Sequence, residues 1–250
     1  MAVAATVLIV RVGPWRARVA GGALLAVCLW ALDDLRPGAV ALTGGGLLLG
    51  LVGRWFAGTR ARLLIGTLAA AGVGVVIAWS PPASARVLDA LTQTAKQHTG
   101  HAFTVGHAYK TLDDRFYAKV DTPSTSRLTL TSTEAARYVA RSGFAFLTVP
   151  FPWQVATTSE LVFIPEQLVW YGLLVTTLIG LRSSWQRDSL VVSLLLGYVL
   201  PISAALALTN GNVGTLVRLR GLVTPFLIWI GALGGAVALR RLIANQAPIR

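Results

Sequence analysis

Apolar stretches separated by short Arg-bearing segments run through most of the chain, and their lengths predict membrane-spanning helices. Leu63 to Ser80, Ser189 to Leu208 and Leu222 to Leu239 each extend for about 18 to 20 residues without a charge, as a hydrocarbon core of roughly 30 Å demands at about 1.5 Å rise per residue. Val19 to Leu32, Gly38 to Gly53 and Pro165 to Leu181 are shorter, and cross only with help from snorkelling Arg neighbours or a thinner bilayer. Residues 2–10 are apolar too, with no positive segment before them and no small-residue cleavage site after them. They predict the last part of a transmembrane helix, as if an upstream portion were missing. The expected fold is all-α and polytopic: about six transmembrane helices, an N-terminal helix stub and one extracytoplasmic loop of about 60 residues.

Four segments follow from this pattern: N-terminal transmembrane helices over 1–80, an extracytoplasmic loop with short helices over 81–142, a re-entrant or interfacial segment over 143–164, and C-terminal transmembrane helices over 165–250. Inside the loop, Val87, Leu88, Leu91 and Ala95 recur at helical spacing and predict a helix over Ser84 to Gln97. Thr131 with Glu134 forms a capping box that opens a second helix, running through Tyr138. His101 to Arg127 has no period and reads as a surface loop. In the apolar patch GFAFLTVPFPWQVA, Pro150 and Pro152 with Trp153 break the helix before it is long enough to span.

Composition supports a membrane protein: hydrophobic residues make up 54% and charged residues 13%, with a mean hydropathy of +0.65. The formal charge of +12 raises nucleic acid as a partner. Placement argues against it, because Arg11, Arg16, Arg18, Arg54, Arg60, Arg62, Arg182, Arg187, Arg240 and Arg241 stand at the ends of apolar runs, where the positive-inside rule puts them. That rule assigns segments 11–18, 54–62, 182–188 and the tail from Arg240 to the cytoplasm, and 33–37 and 209–221 to the outer side. Cys28, the one cysteine, lies within an apolar run, so no internal disulfide exists.

Soluble-enzyme signatures are missing from the sequence, and no cofactor or metal is expected. The glycines Gly44, Gly45, Gly46 and Gly50, and Gly231 with Gly235, fall inside apolar segments and read as helix-packing positions. His98, His101 and His107 have loose spacing and read as solvated loop histidines. Charge on the outer face offers three candidate sites. Asp33, Asp34 and Arg36 share a short turn, where the carboxylates can hold a divalent cation, serve as a general base on a lipid-linked substrate, or simply keep a polar hairpin in water. Glu160 and Glu166 flank Pro165, where a helix start explains them. The third is the turn from Thr209 to Thr215 with Asn210 and Asn212, followed by Arg218 and Arg220. Two Arg on the outer side run against the positive-inside bias, which suggests a partner in the form of an anionic headgroup, the pyrophosphate of a lipid carrier or an internal Asp or Glu, with a snorkelling pair as the alternative.

PFPWQ (150–154), IPEQLVWYGLL (164–174) and GNVGTLVRLRGLVTPFL (211–227) occur in that order. Over residues 135 to 240 the chain thereby resembles polytopic inner-membrane proteins of bacterial surface-polysaccharide biosynthesis, some labelled glycosyltransferase-like. Where those relatives have Arg-His-Arg, this chain has Arg218-Leu219-Arg220. The resemblance implies a multi-pass protein of the bacterial cytoplasmic membrane that takes part in surface-glycan biosynthesis. Two readings stand side by side. In one, the protein acts as a transferase or polymerase-like enzyme on a polyprenyl-linked glycan at the outer face, with Asn210, Asn212, Arg218 and Arg220 binding substrate and Asp33 or Asp34 as catalytic base. In the other it is a non-catalytic component of an assembly or export complex. The expected partners are the lipid bilayer, a lipid-linked glycan and other membrane subunits. The topology predicts that a cysteine at Ser124 reacts with a membrane-impermeant maleimide in intact spheroplasts and one at Ser184 does not; protection of Ser124 would show that 143–156 crosses the membrane.

Overall fold

The computed structural model describes residues 1–11, 14–35, 38–102, 108–117, 128–151, 153 and 160–246. The chain is all-α: α1 (Ala2–Val10), α2 (Trp15–Leu35), α3 (Ala39–Ala57), α4 (Arg60–Trp79), α5 (Pro81–Ala102), α6 (Ser132–Thr148), α7 (Phe163–Arg187), α8 (Ser189–Thr209), α9 (Val213–Arg220) and α10 (Thr224–Gln246). Five of these, α2, α3, α4, α7 and α8, contain segments long and apolar enough to cross a membrane, and α9 with α10 makes a sixth if that broken pair counts as one span. The short apolar runs reach spanning length because flanking residues join the helix: α7 takes in the segment from Arg182 to Arg187 and grows to 25 residues. None of the spanning segment of α4 is buried inside the protein, and Leu63, Leu64, Ile65, Leu68, Val73 and Val76 stand exposed along it. A face this apolar needs a lipid environment.

The chain divides by contact into two units: residues 1–63, 170–202 and 223–250 form the first, residues 64–169 and 203–222 the second. In the first, Leu47, Leu190 and Leu194 make one buried cluster and Val192, Leu195 and Ile230 another. Glycine sets how closely its helices approach. A Cβ on Gly46 would stand 2.7 Å from the Gly197 carbonyl oxygen, and one on Gly50 2.5 Å from that of Ser193. Gly197 is four residues before Pro201, which has no N–H to give it, so its carbonyl is covered by the bare backbone of α3. The expectation for the glycines is refined here. Gly44, Gly45 and Gly235 face open space, whereas Gly234 packs so tightly that a Cβ would lie 1.8 Å from the Thr176 carbonyl oxygen.

Segments assigned to one side by their arginines do meet in this unit. Arg11 pairs with Asp188, and Val10, Arg54, Arg62, Trp185 and Ser189 line a common cleft. Ser184 is buried, so a cysteine there is shielded on either side of the membrane. Arg187, exposed at the end of α7, is the position at which a cysteine reports sidedness. Ser124 lies outside the described residues.

In the second unit, α5 and α6 build a polar cap. Neither is short: α5 has 22 residues and α6 has 17. The capping box forms as expected, with Thr131 accepting from the Glu134 amide while the Glu134 carboxylate accepts from the Thr131 amide, a contribution of about 1 kcal/mol. α6 ends at Thr148, with Val149 extended before Pro150, which disfavours a helical residue ahead of it. The expected surface loop from His101 to Arg127 is corrected over its described parts: His101 and Ala102 belong to α5, and within 108–117 Tyr109, Thr111, Leu112 and Tyr117 are buried. Leu112 and Tyr117 join Ala95, Leu130, Ala135 and Tyr138 in one core, each large side chain contributing about 1.5–3 kcal/mol. Hydrophobic periodicity misses such a segment because its backbone is irregular.

Candidate functional site

The site builds outward from the end of α8. Leu208, Thr209 and Asn210 leave carbonyls without helical partners there, as every helix C-terminus does. Each is met by a side chain of the cap: Tyr138 donates its hydroxyl to Leu208 O, His101 donates through Nδ1 to Thr209 O at 2.8 Å, and Tyr109 donates its hydroxyl to Asn210 O. The Asn210 side chain turns back and donates to Leu206 O at 2.9 Å. Gly211 then passes against α5, where a Cβ would stand 2.3 Å from His98 O, and its own carbonyl accepts from the Tyr109 amide at 3.0 Å. Asn212 opens α9 as its N-cap, its Oδ1 accepting from the Thr215 amide at 3.1 Å. One asparagine closes a helix and the next begins another, which is what short amide side chains do best.

Arg220 explains the Pro-rich patch. In a longer helix Phe146 O would accept from residue 150 and Thr148 O from residue 152, and both of those are proline. Arg220 is buried and supplies the missing donors: Nη2 reaches Phe146 O and, at 2.6 Å, Val149 O. Its Nη1 donates to Gln167 Oε1 at 2.7 Å, and Gln167 in turn donates to Thr148 O at 3.2 Å. The guanidinium also lies over the Phe146 ring, 5.6 Å from its centroid. A cation at the C-terminus of α6 complements its dipole as well. Gln167 of the IPEQ segment and Arg220 of α9 therefore meet at the end of α6, just before Pro150.

The candidate residues now separate. Asn210, Asn212 and Arg220 are buried and bonded within the protein, and Arg220 ties α9 to the end of α6 and the start of α7. Arg218 is exposed in the last turn of α9. Asp33 and Asp34 are exposed in the last turn of α2, in the first unit, whereas the other four belong to the second. Arg36, His107 and the Glu160 side chain lie outside the described residues, and Glu166 is exposed in the first turn of α7 as a helix-dipole partner. Gln167 was not among the expected residues, although it stands inside the quoted IPEQ motif.

His98 is not a solvated loop histidine. It is fully buried on α5, with Nε2 3.0 Å from Thr111 Oγ1 and the rings of Tyr109, Tyr117 and Tyr138 set edgewise around it. Burial pushes its pKa down to about 4, against the backbone of Asn210 and Tyr109, which favours the charged form. Burial also pushes the Tyr109 and Tyr138 phenols up. Charges on the cap surface pair with one another: Arg141 with Asp113 at 2.8 Å, Lys110 with Asp114 at 2.8 Å, and Arg115 with Glu134. Among the described residues no three His, Cys, Asp or Glu side chains stand together as a metal site would require. Compared with family models, with curated proteins and with solved structures, the chain finds no match.

Two outcomes follow from this geometry. Arg220→Lys retains charge but cannot reach three acceptors, so it should cost about 2 kcal/mol in thermal unfolding of the purified protein, while Arg218→Lys stays within about 0.5 kcal/mol. The His98 pKa in the folded protein lies below its unfolded value of 6.5, so the associated stability is complete above pH 6.5 and is lost as pH falls toward about 4. The loss amounts to about 3 kcal/mol at most, and His98→Gln should flatten the dependence of melting temperature on pH across that window.

Proposed function

We propose that the protein is a multi-pass component of bacterial surface-glycan biosynthesis in the cytoplasmic membrane, and that its part is non-catalytic, as a subunit of an assembly or export complex. The observation that carries the non-catalytic reading is the internal bonding of Asn210, Asn212 and Arg220. A pyrophosphate grip needs a guanidinium fork turned toward the ligand, and the Arg220 fork faces backbone carbonyls and Gln167 instead. Support for the glycan process comes from the resemblance of the three motifs.

A second reading keeps a lipid-linked glycan as the ligand. It is favoured by the exposure of Arg218 outside the buried network. In that case the protein is a glycosyltransferase-like or polymerase-like enzyme, Arg218 meets the phosphate and Asp33 or Asp34 acts as base.

Deletion of the gene with complementation separates the readings. Loss of the chain should lower surface glycan, and the Asp33→Asn, Asp34→Asn double variant and Arg218→Gln should each restore it at wild-type membrane abundance. Unchanged glycan in the deletion strain would remove the glycan assignment. Failure of the carboxamide variant at normal abundance would make the protein an enzyme.

A further inference from the structure

The first unit contains a cleft of about 440 Å³ between the end of α3, the start of α4 and the turn joining α7 to α8. Arg54 and Arg62 border it, Trp55 and Trp185 wall it, and Leu51 and Val10 continue the wall as aliphatic surface. Arg62 is fixed over the Trp55 ring, its guanidinium 5.2 Å from the centroid, and its amide is bound by the Thr59 hydroxyl at 3.2 Å. The guanidinium is thus held in place while its edge remains available to an anion.

The charge balance at this end is one-sided. Across segments 10–18, 54–62 and 182–189 the sequence holds a single carboxylate, Asp188. That carboxylate is already committed, since it caps α8 by accepting from the Val191 amide at 3.2 Å and pairs with Arg11. Among the described residues neither Arg54 nor Arg62 has an ion-pair partner. Two cations at the rim of a cleft with no carboxylate left to oppose them call for an anion from outside the chain.

We propose that this cleft binds a phosphate group, held by Arg54 and Arg62, and that an anionic phospholipid headgroup supplies it. Paired guanidinium groups match phosphate oxygens through bidentate hydrogen bonds. The walls favour the lipid over a free ion, because Trp55, Trp185, Leu51 and Val10 offer an acyl chain and a glycerol backbone a surface that inorganic phosphate cannot use. This site is independent of the turn at 209–220.

Native mass spectrometry of the detergent-purified full chain tests the proposal with dioleoyl phosphatidylglycerol, dioleoyl phosphatidylcholine and inorganic phosphate as probes. Phosphatidylglycerol should bind in preference to phosphatidylcholine, and the Arg54→Gln, Arg62→Gln double variant should weaken it about tenfold. Arg62→Lys, a change at an exposed side chain that retains charge, should weaken it by a smaller factor. Arg182→Gln removes an exposed arginine that does not line the cleft and should leave binding unchanged. Equal binding of the two lipids, or an equal loss in Arg182→Gln, would overturn the site. Complete displacement by millimolar inorganic phosphate would overturn the lipid as its source.

Discussion

The second unit depends on a shortage of backbone donors. Pro150 takes from α6 the amide that would have closed its last turn, and an unmade hydrogen bond to a buried carbonyl costs about 1–3 kcal/mol. The Arg220 guanidinium makes good that loss from the last turn of α9, more than seventy residues along the chain, with Gln167 as its relay. An arginine suits the position because a planar fork serves several acceptors at once, where an ammonium would have to choose among them.

The end of α8 meets the same requirement by another route. Its last carbonyls are met by two tyrosines and a histidine from the cap, while Asn210 beyond its end and Asn212 at the start of α9 are bonded to neighbouring backbone. Irregular backbone near lipid is tolerated only where protein satisfies it. A polar cap of buried tyrosines around a neutral His98 is one means of satisfying it, and the buried aromatic rings add packing area that the short α9 could not provide alone.

Local features were legible in the sequence and distant ones were not. The Thr131–Glu134 box and the stop before Pro150 depend on residues within four positions of one another, and both formed as expected. The apolar runs gave the spans but not their ends, because α7 continues through Arg182 and Arg187, whose aliphatic stems permit it. The burial of His98 and Arg220 was not legible for a common reason: polarity and neighbours in sequence suggest exposure, while Thr111, Gln167 and Phe146 are partners that only the fold brings near. Among the glycines, spacing alone could not tell Gly234, where a Cβ would collide with Thr176, from Gly235, where a Cβ would have open space.

The crossing of α3 and α8 has a mechanical side. Where Gly46 and Gly50 lie on Gly197, backbone meets backbone, and such a seam has no side-chain rotamers with which to absorb a displacement. Sliding or rolling one helix against the other would drive main-chain atoms together at once. At this crossing the two helices have no room to come closer. Any breathing of this unit must take place along contacts lined by side chains, such as those that Tyr198 makes with Phe226.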